Sequence, residues 1–265
     1  MSGFSTDWLT LRAAADARAR SADLIARAAR HIEATGGACR VVDLGAGTGA
    51  TLRALTEHLP RPQSWTLVDA DPGLLAEAER RSHGLEGVTM ETRALDLVAA
   101  PVPWDEPPDL VTASALFDIG SAAFIARLAE SLAAAQVPLL AMLTYDGRIA
   151  LSPSHPLDAA MIDAFNAHQR GLKSFGKAAG PDAVPLLEAA LRKHGFDVEL
   201  RDTPWRLERA TDGALIDATL DGWAGAAAEI LPDRSEAIAQ WRAARIGTTE
   251  RLMIGHTDIL ALPQR

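Results

Sequence analysis

The chain has 265 residues, of which 48% are hydrophobic and 23% charged, the profile of an ordinary globular protein with room for a sizeable core. Its net charge of −9 argues against nucleic acid as the main partner, because phosphate binding carries a basic surplus. A single cysteine, Cys39, excludes an intrachain disulfide framework and a cysteine-rich zinc site. No apolar run reaches the roughly 18 residues of a membrane span. The first residues lack the basic start and apolar middle of a secretory signal. A cytoplasmic protein without a membrane partner is the expectation.

Residues 7–34 read as helix. Ser21 caps its second part, with Asp23 in the first turn and Leu24, Ile25, Ala28 and Ile32 on one face. Gly36-Gly37 ends it. Strands are then expected at 39–44, 64–69, 87–92, 109–114 and 137–145. Helices fall between them at 50–59, stopped by Pro60, at 72–82, opened by Pro72, and at 121–135. Continuous apolar strands alternating with amphipathic helices imply a parallel sheet covered on both faces.

The pattern loosens after 145. It gives a helix near 157–171, a glycine-bearing loop, a helix from Pro181 or Asp182 to His194 ended by Gly195, and a strand at 196–202. Helices near 212–230 and 234–251 and a last strand at 256–262 complete it. No linker is visible. The expected organisation is one domain: a helical cap at 1–37, a core at 38–145, an insertion at 146–180, and a C-terminal part at 181–265 holding a helical insertion at 205–254.

The core opens on Val41-Val42-Asp43-Leu44-Gly45-Ala46-Gly47-Thr48-Gly49-Ala50. Glycines at a strand-to-helix turn let backbone approach a ligand where a Cβ would clash, and the following helix offers free N–H groups. Read as Gly45-x-Gly47-x-x-Ala50, the stretch matches the dinucleotide fingerprint. Read as Asp43-x-Gly45-x-Gly47-x-Gly49, it resembles motif I of the class I S-adenosylmethionine-dependent methyltransferases. The glycines alone do not separate the two. Asp43 favours the second: a carboxylate would repel a pyrophosphate, whereas it attracts a ligand carrying an ammonium and a sulfonium. The plainer alternative for Asp43 is bracing the loop.

The next expected strand ends at Asp69, a position from which a carboxylate accepts both hydroxyls of a ribose. Asp71 is the fallback there, or an N-cap for the following helix. The methyltransferase resemblance implies further that Asp96 meets the adenine amino group. It also implies that Ala46, Ala70, Leu97 and Ser114 line the cofactor. It covers residues 38–145 well and 182–202 plus 256–262 loosely. The fold it implies is a Rossmann-like, seven-stranded α/β sheet with helices on both faces, an N-terminal helical cap and helical insertions.

Catalytic candidates come from the C-terminal ends of the strands, where ligands of open α/β sheets lie. They are Tyr145, the only tyrosine, together with Asp118 and His155. Each has a structural alternative: sheet-edge packing, helix capping and a surface loop, respectively. Trp8 and Arg12 on the first helix, Phe117, and the loop lysines Lys173 and Lys177 are candidates for contact with an acceptor. Leu215, Leu220, Trp223 and Ile230 form a helical core stripe. No Asn/Asp-Pro-Pro-Tyr sequence, catalytic cysteine or metal-ligand spacing is present, and no metal is expected. The reading is methyl transfer from S-adenosylmethionine to a small-molecule acceptor. The alternatives are a non-catalytic S-adenosylmethionine-binding regulator and an NAD(P)-dependent oxidoreductase. A protein or RNA methyltransferase has only the basic face around Arg27 and Arg30 in its favour.

Overall fold

Ser21 divides the N-terminal helical stretch in two. The computed structural model, which describes residues 5–36, 39–100 and 102–264, shows α1 (Thr6–Ala19) and α2 (Ala22–Thr35), the second capped by Ser21 as expected. The Ser21 hydroxyl accepts the Leu24 N–H at 3.3 Å, satisfying one of the donors a helix start leaves free. Leu24, Ile25, Ala28 and Ile32 are buried along one face of α2. Of the expected glycine stop, Gly37 lies outside the described residues.

The alternation that follows matches expectation: β1 (Cys39–Leu44), α3 (Ala50–Leu55), β2 (Gln63–Asp69), α4 (Pro72–Ser82), β3 (Val88–Ala94), β4 (Leu110–Ser114) and α5 (Ala122–Ala135). Helix α3 stops earlier than 59. The Gln63 amide takes the carbonyls of Thr56 and Leu59, both at 2.9 Å, so the chain is satisfied without further helix. Strand β5 (Leu139–Ser152) runs beyond the expected end at 145. Next come α6 (Asp158–Gln169), a hairpin of β6 (Leu172–Lys173) and β7 (Gly176–Lys177), α7 (Ala183–Lys193) and β8 (Phe196–Asp202). The chain closes with β9 (Trp205–Glu208), α8 (Arg209–Ile230), α9 (Ser235–Arg245) and β10 (Arg251–Pro263).

The main sheet has the order β3-β2-β1-β4-β5-β10-β8, with β9 paired to the first part of β10. It therefore has eight strands rather than seven. Strands β3, β2, β1, β4 and β5 are parallel, while β10 is antiparallel to β5, β8 and β9. The additional strand, β9, alternates buried Trp205 and Leu207 with exposed Arg206 and Glu208. Four residues after a proline are too few to show that period in sequence.

The two expected insertions merge into one layer. The ends of β5 and β9 and the start of β10 extend the sheet, and α6, α8 and α9 pack there. This layer buries Trp205, Leu215, Leu220, Trp223 and Trp241. Ile230, expected in the same stripe, is 39% exposed because α8 ends on it.

Asp258 pins the cap to this sheet. Its carboxylate accepts the Leu143 N–H at 2.7 Å, the Ser21 N–H at 2.8 Å and the Thr203 hydroxyl at 3.0 Å. Leu143 adopts φ +54 where the β5–β10 register shifts, so its N–H turns out of the ladder and needs this acceptor. Asp258→Ala leaves three donors without a partner, and we expect it to lower stability by roughly 3 kcal/mol. Urea unfolding measures this; a loss within the scatter of surface substitutions contradicts the pinning role.

Candidate active site

The glycine turn forms a cradle at the C-terminal end of β1. Gly45, Gly47 and Gly49 all have positive φ, at 66, 53 and 75°, a conformation that costs a residue with a Cβ. An added Cβ at Gly45 would stand 3.0 Å from the Leu116 side chain, and one at Gly47 would stand 3.4 Å from Leu9 of α1. The first helix thus lies over the turn. Ala46 is buried beneath, its N–H donating to the Val68 carbonyl at 2.9 Å.

Asp69 ends β2 beside this turn. Its carboxylate accepts the Gly47 N–H at 2.8 Å and the Asp71 N–H at 2.9 Å, which fixes it against the loop. Ala70 next to it is exposed. Asp71 serves as the N-cap of α4, accepting from Gly73 and Leu74, so capping accounts for it. Asp96 is exposed after β3 and accepts the Val98 N–H at 2.8 Å. Leu97 beside it is buried. Ser114, the last residue of β4, receives Arg20 Nη2 at 3.4 Å.

Asp43 is fully buried. One oxygen accepts the Thr112 hydroxyl at 2.7 Å, and Oδ2 has no hydrogen-bond partner. Burial raises its carboxyl to about 7, against the hydroxyls of Thr112 and Thr51 and the Arg20 charge, which work the other way. An unmatched carboxylate oxygen at a glycine cradle is a site prepared for a donor or a cation. Asp43, the cradle and the Asp69 carboxylate together fit a nucleoside with a cationic amino-acid end.

A second group of polar side chains stands beyond β4 and β5. Asp118 has a buried Oδ1 without a partner, and burial raises its carboxyl to about 6 while the Arg12 and Lys173 charges lower it. It does not cap α5; Ser121 does, accepting the Phe124 N–H at 3.1 Å. Tyr145 is buried, and its hydroxyl donates to Asn166 Oδ1 at 2.6 Å. Burial, with help from the Asp146 and Asp118 charges, raises its phenol above the ordinary value. His256 pairs with Tyr145 in the β5–β10 register, and its ring centroid lies 6.3 Å from the tyrosine and 5.3 Å from Trp205. Its Nδ1 is buried without a partner, and burial lowers the imidazole to about 4. Sequence reading did not find His256; a histidine opening an apolar strand gives no signal of what will enclose it.

Other expected residues fall elsewhere. Phe117 is 1% exposed and packs in the core beside Phe124, so it has no surface to offer an acceptor. His155 sits at the start of α6, far along that helix from Asn166; its Nδ1 accepts the Leu157 N–H at 3.2 Å, a local turn role. The β6–β7 hairpin separates the two lysines. Lys173 lies near Asp118 and 3.3 Å from His168 Nδ1, whereas Lys177 is exposed opposite Leu172. Arg12 is occupied, bonded to Asp16 at 2.9 Å and lying over the Trp205 ring at 4.9 Å. Trp8 packs partly buried against the same layer. Cys39 is buried, its thiol raised to about 12 by desolvation, and so inert. Arg27 is engaged by Glu199. Among the described residues no cluster of histidine, cysteine and carboxylates could hold a metal.

Residues 41–136 match a family described as a methyltransferase domain. The fold resembles that of a cyclopropane-fatty-acyl-phospholipid synthase-like protein from Lactobacillus casei, with a TM-score of 0.56 at 16% identity over 97% of this chain and 100% of that one. It also resembles the cyclopropane synthase MmaA2 from Mycobacterium tuberculosis, with a TM-score of 0.51 at 15% identity over 97% and 94%. The YcgJ protein from Bacillus subtilis gives a TM-score of 0.51 at 15% identity over 90% and 99%. At these identities the likeness establishes the fold alone. No protein of curated function matches the sequence.

Asp43 makes stability depend on pH. Its folded carboxyl lies at about 7 against 3.8 ordinarily, so between those values the native state holds a proton the unfolded chain has lost. The contribution is therefore most favourable below about pH 4 and is lost as pH climbs through 7, a change on the order of 4 kcal/mol. Asp43→Asn removes this dependence. The melting temperature of the ligand-free variant should gain on wild type between about pH 5 and about pH 8; a constant difference contradicts the burial cost.

Proposed function

We propose that this chain, which matches a methyltransferase domain over residues 41–136, is a class I S-adenosylmethionine-dependent enzyme that transfers a methyl group to a small-molecule acceptor held between the N-terminal cap and the ends of β4 and β5. The observation that carries the reading is Asp43 Oδ2, buried and unpartnered at the glycine cradle. A pyrophosphate there would add charge of the same sign, whereas a cationic ligand neutralises it. This disfavours a nicotinamide dinucleotide.

When bound, S-adenosylmethionine supplies a methyl already activated by its sulfonium, so alignment and exclusion of water are the main tasks left to the chain. Asp43 and the backbone of Gly45, Gly47 and Gly49 hold the methionine end. Asp69 holds the ribose, and Asp96 with Leu97 borders the adenine. Tyr145, fixed by Asn166, keeps a phenolic lone pair to orient the acceptor. Asp118 Oδ1 accepts the proton of an acceptor O–H or N–H as the nucleophile is uncovered. Its carboxyl near 6 makes it a competent base at neutral pH. Arg12, Trp8 and Lys173 border this region from the cap and the hairpin.

The small-molecule preference rests on the net charge of −9 and on the layer of α6, α8 and α9 beside the acceptor region. The whole chain acts as one catalytic unit in this reading. No helix among the described residues is long and apolar enough to cross a membrane. A cytoplasmic location is part of the proposal, since the one cysteine is buried and free and needs no oxidising compartment.

Incubation of the protein with methyl-labelled S-adenosylmethionine and a cell extract should place label in the low-mass fraction. Label in macromolecules only would contradict a small acceptor, and tight cofactor binding without turnover would indicate a regulator. With the acceptor in hand, Asp118→Asn should lower kcat about 100-fold, a typical loss for a proton acceptor, with cofactor affinity unchanged. Wild-type kcat should rise as pH passes about 6, where Asp118 ionises. A variant as fast as wild type would remove Asp118 from the chemistry.

A further inference from the structure

Arg20 stands at the C-terminal cap of α1, where the chain turns into α2. Its side chain crosses the end of β4, beside the end of β1. It is an unsatisfied cation. Nε is sealed from solvent and has no partner, and the one side-chain contact, Nη2 to the Ser114 hydroxyl, is long at 3.4 Å. Among the described residues Arg20 closes no ion pair, although Asp16, Asp258 and Asp43 all act on its charge. Two of those carboxylates are already committed. Asp16 holds Arg12 and the Trp205 indole N–H, and Asp258 holds three donors. The third, Asp43, keeps Oδ2 unpartnered without turning it to Arg20.

Two opposite charges therefore flank the glycine turn, each incompletely matched and neither bonded to the other. A guanidinium is a planar fork suited to a carboxylate, and a buried carboxylate oxygen suits an ammonium. A ligand bearing both on one carbon, an α-amino acid, answers both. Resting on the cofactor reading above, we infer that Arg20 binds the carboxylate of the cofactor's methionine end, opposite Asp43 at its ammonium. The α1–α2 corner thus takes part in the cofactor site, and the protein discriminates against cofactors lacking that carboxylate.

The test is calorimetric binding of S-adenosylhomocysteine and of its decarboxylated analogue, the 3-aminopropyl thioether of 5′-deoxyadenosine, to wild type, Arg20→Gln and Arg20→Lys. Wild type should prefer S-adenosylhomocysteine by at least about 10-fold, the worth of a charge-assisted hydrogen bond. Arg20→Gln should bring the two ligands within about threefold by weakening S-adenosylhomocysteine alone, and Arg20→Lys should keep part of the preference. Equal binding of the two by wild type overturns the inference without any variant. So does an undiminished preference in a folded Arg20→Gln protein. If wild type binds neither ligand, the cofactor reading itself fails, an outcome distinct from either of these.

Discussion

A buried carboxylate with one oxygen left unpartnered organises this molecule. Asp43 lies near the end of an interior parallel strand, with β2 and β4 on either side. Ionising a carboxyl there is costly, and the hydroxyls of Thr112 and Thr51 with the Arg20 charge do not offset it. Nothing in the β1–α3 turn relieves the cost, since its N–H groups face Asp69, Val68 and Ala46 instead. The chain thus keeps an incompletely matched carboxyl at the mouth of a glycine turn, and in the proposed function its charge is what selects the ligand.

The other buried polar groups of the region have different fates. Asp258 is saturated by three donors and joins the cap, β5 and the β8–β9 connection through one side chain. Asp16 is likewise spent, between Arg12 and Trp205. Asp118 Oδ1, His256 Nδ1 and Arg20 Nε are left without partners. Saturated groups hold the cap on the sheet; unsaturated ones gather around the strand ends where an open α/β sheet takes its ligands. That division separates scaffold from site more sharply than burial alone, because both sets are enclosed.

The sequence was most legible where physics imposes a simple period. Strands buried on both faces read as continuous apolar runs, and glycine and proline marked the turns at Gly49, Pro60 and Pro72. The glycine turn, Asp43 and Asp69 were visible for the same reason: their spacing is local. What stayed hidden depends on distant chain. Strand β5 continues past Tyr145 only because β10, itself backed by β9, pairs with its polar second half. Phe117 appeared to face the site, yet Phe124 and the core claim it. No local pattern marks Arg20, and His256 looked like the first residue of a strand. Their importance arises from the partners that the fold withholds.

The central claim, that the charge of Asp43 selects a cationic nucleoside at the glycine turn, is tested most directly by calorimetric titration of wild type and Asp43→Asn with S-adenosylmethionine and with NAD. The account predicts that wild type binds S-adenosylmethionine and not NAD, and that the variant loses most of that affinity while remaining folded. Binding of NAD by wild type, strengthened when the charge is removed, would contradict it and make the turn a dinucleotide site.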